Sequence, residues 1–492
     1  MHTISIIGSG FSSLSAACYL AKAGNKVTVY EKNDQLGGRA RILKHDGFTF
    51  DMGPSWYWMP DVFENFFLDF NKKPSDYYSL EKLSPAYKVF FEDFKAIEIP
   101  KSIEEIIEVF EKEEQGSGEN LRKFMSDAGY NYKVAIDKIV NRPGFSPLEL
   151  VTPETVSKIN QFFTSISSKI RKTFKSPKLI QILEFPVLFL GAKPQDTPLF
   201  YNFMNYADFV LGTWYPKGGM VKIVEAMVSL GKELGVNYVI NSNVSKINVE
   251  KRTVKGITID DKFISSDIVL SGADYAHTET LLDNKYRQYS NHYWDKKVFA
   301  PSSLLFYVGF DKKLVNVRHH NLFFDKSFDN HAAEIYDTPQ WPKKPLFYAS
   351  FPSITDNSVS PEGKECAFFL VPLAPGLKSD KDLVDSYFKV LIQRLEEQTS
   401  QELAEHVLFK IPFCVEDFKN DYNSYKGNAY GMANTLMQTA FLRPGIKSKK
   451  VKNLFFTGQL TVPGPGVPPA LISGKIVSEQ IIKKALKILC HD

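Results

Sequence analysis

Apolar positions along the chain follow two periods, and the switch between them marks its elements. Thr3 to Ile7 is a short apolar run of strand length, Ser12 to Ala23 has apolar residues at helical spacing, and Lys26 to Tyr30 is again β-branched. Gly24 and Asn25 close the helix, so the pattern predicts a strand-helix-strand unit at the start of the chain. Ser102 followed by Glu105 reads as a capping box opening a helix to about Glu111, and helical spacing resumes from Asn120 to Val140. From Gly235, short β-branched runs with tight turns end in a buried strand, Ile268 to Leu270, which predicts a sheet laid back on the first unit. Strands are expected at Ser302 to Phe310, Cys366 to Leu373 and Leu454 to Phe456, and helices over Asp382 to Glu397 and from Ala470.

One stretch combines pattern with charge. Between Glu154 and Lys178, Val156, Ile159, Phe163, Ile166, Ile170 and Phe174 fall at i+3/i+4 spacing, accompanied by Lys158, Lys169, Arg171, Lys172, Lys175 and Lys178. An apolar stripe beside a basic face suits an interfacial helix resting on anionic lipid. The same pattern fits a helix docked on its own domain with a solvated cationic face.

Composition narrows the class. A chain of 492 residues exceeds one core and predicts two or three domains with extensive interfaces. Aromatic residues make up 14%, enough to line or cover apolar surface beyond an ordinary core. A net charge of +4 gives no global argument for nucleic acid, and none is expected as a partner. Cys18, Cys366, Cys414 and Cys490 form no CxxC pair, so neither a zinc site nor a disulfide framework is expected. Met1 leads directly into a strand, and no apolar run reaches the ~18 residues of a bilayer span. The expectation is a cytoplasmic protein, soluble or peripherally associated with the inner membrane.

Candidate chemistry begins at the first strand-helix turn. Gly8 permits the tight turn and Gly10 lets the backbone approach a pyrophosphate held at the helix N-terminus. Ser13 stands where the fingerprint's third glycine serves helix-strand packing, which predicts a packing adjustment and a hydroxyl bonded within its own helix. Glu31 ends the second strand, where a carboxylate accepts from ribose hydroxyls and repels a 2'-phosphate, which disfavours NADP. Gly37-Gly38-Arg39 offers a second phosphate approach with a fixed cation, which makes FAD a stronger reading than NAD. At the far end Gly458, the Gly464 to Pro469 loop and a following helix N-terminus can stabilise charge at a reduced flavin. Because first and last segments address one cofactor, the nucleotide domain is expected to be discontinuous.

These features, with "GTWYPKGGM" (Gly212 to Met220), "SGAD" (Ser271 to Asp274), "TDNSVSPEG", "DYNSYKGNAYG", "FLRP" and "PGPGVPPALISG" in that order, resemble the flavin amine oxidase superfamily and its bacterial-type phytoene desaturases. The resemblance spans nearly the whole chain. It implies FAD as the redox cofactor, a long linear carotenoid as substrate, and oxidation of a carbon-carbon single bond to a double bond. It places the first cradle on Gly8, Gly10, Phe11, Ser12 and Ser13, and the ribose on Glu31 with Lys32 beside it. Gly38 and Arg39 form the second approach, Val244 the adenine contact, and Ala273 and Asp274 belong to the same group. The flavin neighbourhood falls on Gly53, Pro54, Ser55, Gly458, Gln459, Gly466, Val467 and Pro468. Val462 departs from the pattern, since many members carry histidine there.

The resemblance further implies an α/β fold: a Rossmann-like FAD-binding domain built from residues 1–95, 212–285 and 446–492. An α+β substrate domain over 286–445 and a helical membrane-contacting or lid subdomain over 96–211 complete it. Within the desaturases, phytoene-type desaturation competes with 3,4-desaturation of a 1-hydroxycarotenoid. A flavin amine or amino-acid oxidase would share the nucleotide domain, and a non-catalytic prenyl-escort protein would keep the fold but not the flavin. The terminal electron acceptor is expected to be oxygen or a quinone, and no catalytic base can be named. Asp137, Arg142, Asp196 and Glu416 read as surface ion pairs, and His319-His320 as neighbours pointing apart.

Overall fold

In a computed structural model, which describes residues 1–489, the chain is built around two unlike sheets. The first is five-stranded and parallel, in the order Leu454–Phe456, Ile268–Ser271, Thr3–Ile7, Lys26–Tyr30, Asn237–Val239. Its strands come from the start, middle and end of the chain; the central ones are short apolar runs that need cover on both faces, and Asn237–Val239 is a more exposed edge. Helix Phe11–Lys22 supplies one cover, and the C-terminal helix, described as Val467–Leu489, lies directly on it. A Cβ at Gly474 would stand 2.4 Å from the Ser12 carbonyl oxygen, so glycine is what allows that contact. An antiparallel three-stranded sheet, Val244–Glu250, Thr253–Ile259 and Lys262–Ser265, flanks the unit.

The second sheet has seven strands, ordered Val407–Phe413, Ser302–Phe310, Glu365–Leu373, Phe347–Ser350, His320–Phe324, Tyr87–Phe91, Ala96–Ile99. Strict alternation gives it two apolar faces. Leu304, Phe306, Phe323, Phe369 and Val371 pack under helix Lys381–Thr399, while Leu305, Leu322, Phe324, Tyr348 and Phe368 face the opposite way. The expected boundary at residue 95 falls inside a hairpin of this sheet, because Tyr87–Phe91 pairs in parallel with His320–Phe324.

Helices fill residues 103–211. Ser102 Oγ accepts from the Glu105 amide at 3.3 Å and opens helix Ile103–Glu113, and helix Ser117–Val134 runs on into a wide turn at Ala135–Ile139. The expected single helix over Glu154 to Lys178 is instead four short ones: Pro153–Ser157, Asn160–Phe163, Ile166–Thr173 and Pro177–Glu184. The breaks separate its stripe, leaving Val156, Ile159 and Phe163 exposed while Ile166, Ile170 and Phe174 are buried. Its basic face is partly neutralised, Lys158 by Asp127, Arg171 by Glu184 and Asp329, and Lys178 by Asp93.

The C-terminal helix starts at Val467, three residues before Ala470, since prolines are tolerated in a first turn that needs no amide donor. Cys18, Cys366 and Cys414 are buried and free, and Cys490 lies outside the described residues. Among the described residues no helix is long and apolar enough to cross a membrane, and no group of three metal-ligating side chains comes together.

Candidate functional site

One cavity of about 790 Å³ runs from the first strand-helix turn, between the two sheets, into the helical part. At the nucleotide end, Gly8 adopts φ +84° and donates its amide to the Tyr30 carbonyl at 2.8 Å. An added Cβ there would reach the Ala273 amide at 3.3 Å, whereas one on Gly10 would meet nothing within 4 Å. Gly10 therefore opens on the cavity at a helix N-terminus that no side chain caps. Gly38, at φ +59°, packs its α-carbon against Gly10, where a Cβ would stand 3.2 Å from the Gly10 α-carbon. The two glycine turns thus form one cradle.

Ser9, between the two glycines, ties this cradle together. Its amide and hydroxyl donate to Glu31 Oε2 at 2.9 and 2.6 Å, and its hydroxyl accepts from the Gly37 amide at 3.1 Å. Glu31 Oε1 accepts from the Asn33 amide at 3.0 Å and keeps acceptor capacity for a ribose hydroxyl. The sequence reading missed Ser9; its signal was a hydroxyl between two glycines with a carboxylate at the end of the next strand. Ser13 does not line the cavity. It is wholly buried, its Oγ has no partner, and a Cβ on Gly272 would stand 2.0 Å from that oxygen. The expected bond within its own helix is not formed, because the hydroxyl points across to the Gly272 turn.

Arg39 lines the same space, donating to Ser424 Oγ at 2.5 Å and to the Asn428 carbonyl at 3.3 Å, with its guanidinium 5.1 Å from the Tyr422 ring. Its buried Nε has no partner. Burial pulls its pKa below the usual arginine value, which Tyr422 and Asp274 oppose. Asp274 caps helix Tyr275–Thr280 through the Ala276 and His277 amides and receives the Tyr425 amide at 3.2 Å; burial raises its pKa. Phe11, Ser12, Lys32, Val244 and Ala273 complete this end. Of the residues expected around the flavin, Gly53, Pro54, Ser55, Gly458, Gln459, Gly466, Val467 and Pro468 all line the cavity, and the first turn of the C-terminal helix opens on it.

The fit for FAD rests on these atoms: an uncapped helix N-terminus opened by Gly10, an unpartnered guanidinium nitrogen on Arg39, and acceptor capacity on Glu31. An anionic pyrophosphate and a ribose diol satisfy all three.

Beyond these residues the wall turns apolar, with Trp56, Trp58, Phe185, Leu305, Phe324 and Phe368 facing inward. Among its cationic lining residues, Lys32 and Arg39 lie at the nucleotide end and Arg142 is exposed, donating to the Lys138 carbonyl at 3.0 Å. Asp137 is exposed, Asp196 lies 3.6 Å from Lys193, and Glu416 2.8 Å from Lys419, so these stay on the surface. His319 and His320 do not point apart as expected. Their ring centroids are 4.4 Å from each other, because His319 precedes the strand and is free of its alternation.

Comparison with known proteins matches residues 11–482 to the family described as "Flavin containing amine oxidoreductase". The chain is 41% identical over 486 residues to a carotenoid 3,4-desaturase of Haloarcula japonica, covering 98% of each. It is 30% identical over 500 residues to a 4,4'-diapophytoene desaturase of Staphylococcus aureus, again covering 98% of each. Its fold resembles the crystal structure of an oxidoreductase from Methanosarcina mazei, with TM-score 0.62, 17% identity, and coverage of 97% and 99%. The chain therefore belongs to the flavin-containing amine oxidoreductase family, among its carotenoid desaturases, and is an FAD-dependent oxidoreductase.

Proposed function

We propose that this protein desaturates a long linear carotenoid, with the 3,4-bond oxidised in the relative from Haloarcula japonica as the first candidate. The observation that carries the reading is the continuity of the cavity from the dinucleotide cradle into an apolar channel. Oxidising a hydrocarbon offers no heteroatom to activate, so bound FAD supplies the acceptor for a hydride and its electron pair. The chain's own task is alignment and exclusion of water, which the aromatic wall around Trp56 and Phe185 performs. An amino-acid oxidase would hold a substrate carboxylate on a cation in mid-channel, and the described lining residues place none there.

The substrate dissolves in bilayer, and the channel opens where apolar side chains meet solvent. Phe145, Leu148, Val151, Val156, Ile159, Phe163 and Met437 are exposed, and Phe163 and Met437 also line the cavity. This rim rests on the membrane surface and takes the carotenoid from it. Purified protein reconstituted with FAD is expected to be yellow and to form a new conjugated double bond in a liposome-borne 1-hydroxycarotenoid or phytoene. A colourless protein that cannot be reconstituted, or absence of product from both substrates, overturns the proposal. Anaerobic turnover with added quinone separates a quinone acceptor from oxygen.

A further inference from the structure

We propose that Tyr348 takes the proton that the carotenoid loses, passing its own hydroxyl proton to Nδ1 of His320, while Ser55 fixes the hydroxyl between channel and imidazole. The inference rests on the desaturase reading. In that reaction one carbon gives up hydrogen with its electron pair to oxidised FAD, and the adjacent carbon gives up a proton. The pair left by that proton closes the double bond, so atoms and electrons balance once a base receives the proton.

The channel wall supplies that base from the sheet face opposite helix Lys381–Thr399. Tyr348 Oη lies 2.6 Å from His320 Nδ1 and 3.0 Å from Ser55 Oγ, and Ser55 and Tyr348 both line the cavity next to Trp56. His320 is wholly buried, stacked on the Trp56 ring at 4.1 Å and 11°, and its Nε2 has no partner. A ring whose Nδ1 accepts from a tyrosine carries its single proton on Nε2, so the lone pair faces the channel tyrosine. Burial, reinforced by neighbouring His319, holds the His320 pKa well below the usual imidazole value. The ring therefore meets each turnover unprotonated. A weak base suffices, because carbon-bound hydrogen beside a developing cation is strongly acidic.

Neither histidine that lines the cavity, His277 or His331, bonds a channel tyrosine, and the other tyrosines of the wall lack this arrangement. His331 commits both nitrogens to the backbone, Nδ1 to the Leu346 amide at 3.0 Å and Nε2 to the Pro372 carbonyl at 2.9 Å. Tyr201 is bonded to Thr439 at 2.8 Å, a hydroxyl and no base. Among the described residues, Tyr348 is the channel tyrosine hydrogen-bonded to an imidazole. Ser55 also lines a second cavity of about 20 Å³, shared with Asp51 and His319. Burial raises the Asp51 pKa to about 7, so that group exchanges protons near neutrality.

The test is anaerobic single turnover of FAD-loaded wild type, Tyr348→Phe and His320→Gln, following appearance of the new conjugated double bond alongside loss of flavin colour on adding carotenoid. Both variants are expected to slow by about 100-fold, with FAD content, melting temperature and tryptophan quenching by carotenoid unchanged. Deuterium at the proton-losing carbon is expected to slow the variants further. Rates within about 3-fold of wild type in folded, FAD-loaded Tyr348→Phe overturn the relay while leaving desaturation standing. Inertness of wild type itself overturns the desaturase reading, and the relay with it. A readout independent of turnover is nitrogen NMR of histidine-labelled protein. It should show His320 neutral, protonated on Nε2, with an Nδ1 signal that moves in Tyr348→Phe; a proton on Nδ1 overturns the relay.

Discussion

Single residues divide into those whose role follows from chemistry at a known turn and those whose role depends on what faces them. Glu31 is of the first kind: a carboxylate ending the second strand after GxG is suited in chemistry to accept from a ribose diol. Glu31→Ala is expected to weaken FAD binding about 10- to 100-fold while leaving carotenoid binding intact, read by flavin titration. Ser13 is of the second kind. Its sequence position suggested a helix-internal bond, but the neighbouring Gly272 turn holds its hydroxyl buried and unpaired. Removing an unpaired buried hydroxyl relieves its desolvation cost, so Ser13→Ala should stabilise the protein by about 1 kcal/mol without changing FAD content. A melting temperature that falls in that variant contradicts the packing. Tyr348 and His320 were invisible as a pair because 28 residues and a strand crossing separate them.

Elements with one dominant period were legible to within a residue or two. The strands Thr3–Ile7, Lys26–Tyr30, Ser302–Phe310 and Leu454–Phe456 match the apolar runs that predicted them. The segment from Glu154 to Lys178 was not, because i+3/i+4 spacing is satisfied equally by one long helix and by short helices that turn different faces inward. Buried carboxylates are a further element-level feature that spacing cannot show. Asp208 sits in the wide turn Ala207–Leu211, accepts from Tyr87 Oη at 2.7 Å, and burial raises its pKa to about 8. Its folded pKa lies above its unfolded one, so its contribution to stability is complete below about pH 4 and is lost as pH rises through about 8. Asp208→Asn keeps an acceptor for Tyr87 and should flatten the wild-type fall in melting temperature between pH 4 and 8. An unchanged slope in the variant would contradict a protonated Asp208.

For the whole molecule, the channel and its rim are products of packing. Exposed Leu148 (75%), Phe163 (77%) and Met437 (71%) come from segments nearly 300 residues apart, yet Phe163 and Met437 line one cavity. Leu148→Glu with Met437→Glu is expected to cut sedimentation with anionic liposomes at least about 5-fold, with FAD content and melting temperature unchanged. Undiminished sedimentation would remove this rim as the membrane contact. Arg171, by contrast, is engaged with Glu184 and Asp329 and is not free to meet lipid. By itself the sequence determined the strand-helix glycine turn, the second glycine turn and the C-terminal Pro-Gly loop, all of which line one cavity, and a sheet assembled from both ends of the chain. Those features depend on backbone conformations and close approaches that only certain residues allow, so the residues announce them. Tertiary structure alone decided which apolar stripe faces solvent, where Ser13 points, and that Ser55, Tyr348 and His320 form a chain. Such relations depend on which distant segments are packed together, and no local periodicity encodes that.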